Sequence, residues 1–263
     1  MTLISPEKTA LIFGGSRGIG AAIARQLAQE GFRVAITYVS QTEKVRQVVT
    51  NIKASGGRAM AIEADSADPD AIRRAVRDTV DRLGKLDAAI VNTGVLKCAN
   101  IENVTLDDLF VSLAINVRGV FLAIQAAVLN MKDGGRIVTV GGNTAVRTGS
   151  SGGIVYGMTK AAVAAMGKRA ALDLAPRSIT VKNIQPGPTE TDMTASMVAG
   201  LVNVILLKRV GQPEEIAALA YYLVSEKAGY MTGSSLTIDG GFVLCISGSL
   251  TIRTATAVRV SGG

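Results

Sequence analysis

Seven short apolar runs recur along the chain: TALIF at 9–13, RVAITY at 33–38, AMAIE at 59–63, LDAAIV at 86–91, IVTV at 137–140, ITVKNI at 179–184 and SLTI at 235–238. Each reads as a strand, and the run at 137–140 has the β-branched composition of one buried on both faces of a parallel sheet. Between them, apolar residues return every three or four positions, as through Ile23 and Leu27 or Ile72, Val76 and Val80, and these segments predict helices. Strand alternating with helix predicts one α/β domain, a doubly wound seven-stranded parallel sheet over residues 1–244. Three segments depart from the rhythm. Residues 105–131 read as one long helix with Asn116 and Gly119 inside it; an asparagine competes for backbone hydrogen bonds and predicts a kink, a buried water, or both. Residues 192–208 are apolar and follow a loop, which favours a lid over an apolar substrate against an ordinary core helix. Residues 245–263 lack helical periodicity and predict a disordered tail or an added edge strand.

Ligands of open α/β sheets gather at the carboxyl ends of the strands, so the loops there hold the candidate chemistry. The first strand runs into Gly14-Gly15-Ser16-Arg17-Gly18-Ile19-Gly20 and then a helix, giving a tight turn that aims free N–H groups at a pyrophosphate. The second ends in Tyr38-Val39-Ser40, without the carboxylate that would bond a ribose 2′-hydroxyl. With Arg17 in the turn and Lys44 nearby, a 2′-phosphate is the better match, and NADP(H) is expected over NAD(H). Asp65 and Ser66 end the third strand, where Asp65 either caps the next helix or bonds an adenine. Asn92 and Gly94 end the fourth, where Asn92 ties strands together, contacts a ribose, or simply makes a turn. The sixth strand leads into Pro186-Gly187-Pro188-Thr189-Glu190-Thr191.

The fifth strand opens into a glycine-rich loop and a helix bearing Tyr156 and Lys160. Residues four apart share a helix face, so the ammonium is expected to lower the phenol's pKa and make the tyrosine a usable general acid. The alternative is a solvated pair on an amphipathic helix. The alanine-rich continuation through Gly167 is open to a subunit interface or to tight packing within the chain.

Composition narrows the picture. A formal charge of +7 with scattered basic residues and only 4% aromatics, none of them tryptophan, argues against nucleic acid and for a phosphorylated small molecule. There is no histidine, which excludes histidine catalysis and the common zinc sites; no metal is expected. No apolar run approaches the ~20 residues of a bilayer span, and no secretory signal precedes the first strand, so a cytoplasmic protein without membrane contact is expected. Cys98 and Cys245 read as small buried thiols in a reducing compartment.

Together these motifs resemble the short-chain dehydrogenase/reductase family over about residues 8–243. The family's TGxxxGxG turn is Phe13 to Gly20 with Phe13 for threonine, NNAG is Val91-Asn92-Thr93-Gly94, the helix asparagine is Asn116, and YxxxK is Tyr156 and Lys160. The resemblance implies a Rossmann-type fold and reduction of a ketone or aldehyde, within a group that includes ketoacyl-carrier-protein reductases. Tyr156 would protonate the substrate oxygen, Lys160 would bond the nicotinamide ribose, and Asn116 would hold a water. Gly14, Ser16, Arg17, Gly18, Ile19, Gly20, Tyr38, Ser40, Asp65, Ser66, Asn92, Gly94, Pro186, Gly187, Thr189 and Thr191 would contact the cofactor, Asp65 at the adenine. A homotetramer or dimer is implied as well. For a carrier-protein substrate Arg177 is available, but Asp133 stands where a cation would serve better, so a small or apolar ketone is favoured.

One departure matters. The family's serine, which bonds the substrate oxygen beside the tyrosine, falls on Gly142 counted from the strand or on Asn143 counted back from Tyr156. Either Asn143 or Thr144 replaces its hydroxyl, or activity is weak. A binding or regulatory protein, for example one that takes cyclic-di-GMP, is therefore the rival reading.

Overall fold

Each of the seven apolar runs becomes a strand of one sheet in the computed structural model, which describes residues 7–147, 151–195 and 198–244. The strands are β1 (Thr9–Phe13), β2 (Arg33–Tyr38), β3 (Arg58–Glu63), β4 (Leu86–Val91), β5 (Met131–Val140), β6 (Thr180–Pro186) and β7 (Ser235–Ile238). They lie in the order β3-β2-β1-β4-β5-β6-β7, every neighbouring pair parallel. The order reverses between β1 and β4, which opens a crevice at their carboxyl ends.

Helices cover both faces: α1 (Gly18–Gln29), α2 (Thr42–Ala54), α3 (Pro69–Leu83), α4 (Leu106–Leu113), α5 (Val120–Leu129), α6 (Ile154–Leu174), the short α7 (Val198–Leu201) and α8 (Pro213–Val224). The period-two alternation of β1 shows how one strand serves two layers. Ala10 and Ile12 pack with Ile23 and Leu27 of α1 and Leu223 of α8, while Leu11 and Phe13 pack with Ile72 of α3, Ala127 of α5 and Val163 of α6. Phe13, standing for the family's threonine, is thus a core residue.

The 105–131 segment changes its winding where its asparagine lies. A π-helical turn, Ala114–Gly119, separates α4 from α5 and carries Asn116 at its centre. A Cβ at Gly119 would run into the Ser66 carbonyl oxygen, so this turn sits directly against the end of β3. Contrary to the sequence expectation, one helix does reach the length and composition of a membrane span: Leu106–Leu129, 24 residues containing an 18-residue window with a mean hydropathy of 1.7. Its apolarity has a core explanation, because Val120, Ala123, Ile124, Ala126 and Ala127 are buried against the sheet.

Other expectations need correction. Cys98 is exposed rather than buried, because it lies in the open segment after β4, and Cys245 falls outside the described residues with the rest of the 245–263 tail. Asp68, not Asp65, caps α3 by accepting from the Asp70 amide; Asp65 accepts from Ala67 N at 2.8 Å and closes the turn before it. A Cβ on Gly167 would lie 3.9 Å from Val181 and Asn183 of β6, so there the small-residue face of α6 packs within the chain.

Candidate active site

The glycine turn after β1 is held open by backbone geometry. Gly14 (φ +78°) and Gly18 (φ +53°) occupy left-handed conformations that side-chain-bearing residues avoid. Thr37 of β2 fixes the turn, its Oγ1 accepting from Gly14 N and its carbonyl from Gly15 N, both at 3.0 Å. Arg17 at the α1 N-cap gives no side-chain cap, and no acidic residue stands in the first turn. The amides opening α1 are therefore left to an external anion, and the cradle fits the pyrophosphate of a dinucleotide. A Cβ on Gly18 would reach within 3.2 Å of Thr191 Cγ2, so any larger residue would crowd the space where the β6 loop meets the turn.

A crevice of about 490 Å³ runs from this turn across the carboxyl edge. Its walls bring together Gly14, Ser16, Arg17, Gly18 and Ile19 with Tyr38 and Ser40 from β2, Asp65 and Ser66 beyond β3, Asn92 and Gly94 after β4, and Gly142, Tyr156 and Lys160. Pro186, Gly187, Thr189 and Thr191 close the remaining side. Three expected residues are elsewhere. Gly20 lies under the turn, where a Cβ would strike the Gly14 carbonyl. Asn143 is buried and its amide donates to Asp239 Oδ2 at 3.2 Å, away from the substrate position expected of it. Asn116 is buried behind the wall, its Oδ1 accepting from Val95 N (2.8 Å) and its Nδ2 donating to Val95 O (2.9 Å) and Thr159 Oγ1 (3.2 Å). Asn92 is a strand tie, donating to the Gly14 carbonyl at 2.7 Å.

At the end near β2, no carboxylate stands on the strand's last residues, but one arrives from the β6 loop. Asp192 accepts from both Lys44 Nζ (2.6 Å) and Arg17 NH1 (3.1 Å), and these cations hold its carboxyl below the usual range. Sequence reading missed Asp192, whose partners are distant in the chain. It also missed Asp239, whose Oδ2 accepts from Asn143 Nδ2 and from Val243 N (2.8 Å) and whose side chain packs on Gly187.

At the other end the candidate reacting groups converge. A Cβ built on Gly142 lies 3.8 Å from Tyr156 Oη, 3.5 Å from Lys160 Cγ and 3.4 Å from Thr144 Oγ1. A Cβ on Gly94 lies 3.3 Å from Lys160 Nζ and 3.5 Å from Asn116 Oδ1, which puts the ammonium and the asparagine on one spot. The expected lowering of the phenol's pKa is not what the structure shows: burial, with the Cys98 thiol adding to it, pushes Tyr156 up to about 12. Burial also pushes Lys160 down to about 8, and its Nζ donates to the Val140 carbonyl at 3.2 Å instead of the phenol. Desolvation disfavours both charged forms and sets the direction of both shifts.

Sheet order and the contents of its crevice define the class, a dinucleotide-fold oxidoreductase. A family description for enoyl-(acyl carrier protein) reductases matches residues 14–243, and the chain belongs to the short-chain dehydrogenase/reductase family. It is 36% identical over 246 residues to the 3-oxoacyl-[acyl-carrier-protein] reductase FabG of Staphylococcus aureus, covering 90% of this chain and 98% of that protein. It is also 36% identical over 238 residues to the cyclic-di-GMP-binding biofilm dispersal mediator protein of Escherichia coli, covering 89% and 97%. Among solved structures, a short-chain dehydrogenase/reductase from Serratia marcescens is 46% identical with a TM-score of 0.88, covering 90% of this chain and 98% of that one. A Burkholderia cenocepacia short-chain dehydrogenase in complex with NADP is 42% identical with a TM-score of 0.87, covering 89% and 97%.

Proposed function

We propose that the protein is an NADP(H)-dependent carbonyl reductase that converts a small, apolar ketone or aldehyde to its alcohol, reversibly. The observation that carries this is the convergence of Tyr156 and Lys160 in the crevice, with Asn116 directly behind its wall, at the far end from Arg17, which Asp192 links to Lys44. Bound NADPH supplies a hydride, with its two electrons, to the carbonyl carbon. Tyr156 gives its phenolic proton to the carbonyl oxygen as the C=O π pair becomes the new O–H bond. Lys160, charged below a pH of about 8, stabilises the phenolate left behind. Asn116 fixes the Val95 backbone, which lines the crevice beside it. The amides of the glycine turn and Thr189 and Thr191 hold the pyrophosphate side, Arg17 and Lys44 the 2′-phosphate, and Asp65 the adenine.

The substrate reading rests on position. Arg177 is engaged by Asp133 (2.7 Å) and by the Val128 and Met131 carbonyls at the amino end of β5, on the opposite edge from the crevice. Neither residue serves a carrier protein at the site, whereas Val95, Ile115 and Met193 line it with apolar surface. The exposed Phe110, Phe121 and Leu129 of α4 and α5, with Leu172 of α6, support assembly as a homotetramer or dimer, which light scattering would measure. A cytoplasmic setting would keep the exposed Cys98 reduced.

NADPH consumption with aliphatic and aryl ketones and β-ketoesters tests the reading beside Tyr156→Phe. Turnover that disappears in the variant supports it; a protein that binds NADPH and turns over none of them refutes it. The missing hydroxyl at Gly142 favours a second reading, a binding or regulatory protein on the same scaffold, and the Escherichia coli relative suggests cyclic-di-GMP as the ligand. Calorimetric titration separates the two, since folded protein that gives no heat with cyclic-di-GMP removes the second.

A further inference from the structure

We infer that Thr144 supplies the hydroxyl that Gly142 lacks, its Oγ1–H donating to the substrate's carbonyl oxygen alongside Tyr156. The inference rests on the reductase reading above and assigns a further catalytic residue within it. Gly142 has an extended backbone (φ 177°) that any residue adopts, and a side chain there would begin 3.8 Å from Tyr156 Oη. A donor at 142 would therefore face the phenol, and this chain has none. Asn143, the next residue, is committed elsewhere through its bond to Asp239.

Thr144 follows on the same 3₁₀ turn, Asn143–Ala145. Its Oγ1 lies 3.4 Å from the point where a side chain at 142 would begin, and it is buried without a hydrogen-bond partner among the described residues. Buried hydroxyls are almost always paired, so an orphan beside a reacting group calls for an acceptor that arrives with the ligand. Because residue 142 is glycine, the point that lies within 4 Å of both hydroxyls carries no side chain. A carbonyl oxygen placed between them accepts from both, and the negative charge it gains during reduction strengthens both bonds. Thr144 keeps its proton throughout; the transferred proton comes from Tyr156.

The test compares Thr144→Val, Thr144→Ser, Gly142→Ser and the Thr144→Val/Gly142→Ser double variant. NADPH consumption is read on the same ketones and β-ketoesters, with NADPH fluorescence for binding and thermal melting for the fold. Thr144→Val should lower kcat by about 10²-fold while leaving NADPH binding unchanged and the melting temperature no lower, since it deletes an unpaired hydroxyl. Thr144→Ser should stay near the parent, and the added serine should restore the double variant, a rescue that a merely structural role would not give. Parent-like kcat in Thr144→Val, or no recovery in the double variant, overturns the inference and leaves the reductase reading standing. An inactive parent made active by Gly142→Ser overturns it too, because Thr144 would then be no substitute. If parent and Gly142→Ser both bind NADPH and neither turns over, the reductase reading itself has failed and this inference with it.

Discussion

Lys160 donates to the Val140 carbonyl at 3.2 Å, with its Nζ 5.3 Å from the centre of the Tyr156 ring. The ammonium is thus anchored to the end of β5 beside the phenol without bonding to it. Burial sets the two titrations far apart, about 8 for Lys160 and about 12 for Tyr156. Carbonyl reduction requires the phenol protonated and the lysine charged. The phenol meets its condition across the working range, so the lysine sets the limit. The kcat/KM for ketone reduction should be level below pH 8 and fall about tenfold per unit above it. A profile level to pH 10 would show that the lysine either keeps its proton well past pH 8 or takes no part through its charge.

Asp192 occupies the two cations that a 2′-phosphate would take. Its bonds to Lys44 and Arg17 are exposed at both ends, so the competition is weak and sensitive to salt. Asp192→Asn should lower the KM for NADPH by no more than about fivefold, with the gain shrinking at high ionic strength. Lys44→Gln should raise the same KM and leave that for NADH nearly unchanged. If Asp192→Asn instead weakens NADPH binding, the carboxylate orders the cations and does not compete with the phosphate.

Asn116 satisfies both the N–H and the carbonyl of Val95, and it does so from within the π-helical turn. Asn116→Ala orphans both backbone groups and should cost about 1–3 kcal/mol of stability. Urea unfolding measures it. The variant should also lose turnover beyond its loss of stability, because Lys160 Nζ and Asn116 Oδ1 share the spot beside Gly94. Unchanged stability would mean that the turn is held by its packing on Ser66 alone.

The central strands were legible because β1, β4 and β6 are buried on both faces and read as apolar runs, and the glycine turn because its conformations admit little else. Asn116 stood out because a polar amide in an apolar helix must find partners, and it finds them in the Val95 backbone and Thr159 from a π-helical turn. Contacts between distant positions left no local signal: Asp192 meets Arg17 from 175 residues away and Lys44 from 148, and Asn143 meets Asp239 across 96. The Tyr156–Lys160 spacing put both groups on one wall of the crevice and misjudged their titration. Spacing reports proximity, whereas the direction of a buried group's shift depends on how much water the fold removes. The Leu106–Leu129 run escaped notice as a possible span because polar residues interrupt it, though its mean hydropathy stays high.

Lys182 has no counterpart in the chemistry above, and it dictates how stability varies with pH. It is fully buried on β6 and donates to Thr180 Oγ1 (2.6 Å) and the Leu223 carbonyl (2.9 Å), with no carboxylate paired to it among the described residues. Burial first, and then the charge of Arg136, push it down from 10.5 to about 8. Between those values the unfolded chain binds more protons than the folded one, so stability rises with pH across that window. Lys160, also near 8, adds in the same direction. Tyr156 acts oppositely: its phenol ionises near 10 when unfolded and about 12 when folded, so stability falls above pH 10. The urea midpoint should therefore climb from pH 8, pass a maximum near 10 and then decline. Lys182→Met should remove that residue's part of the climb and leave the part due to Lys160. A midpoint that is level between pH 8 and 10, or a slope that the substitution leaves intact, would mean that Lys182 keeps its proton in the folded protein as firmly as in the unfolded chain.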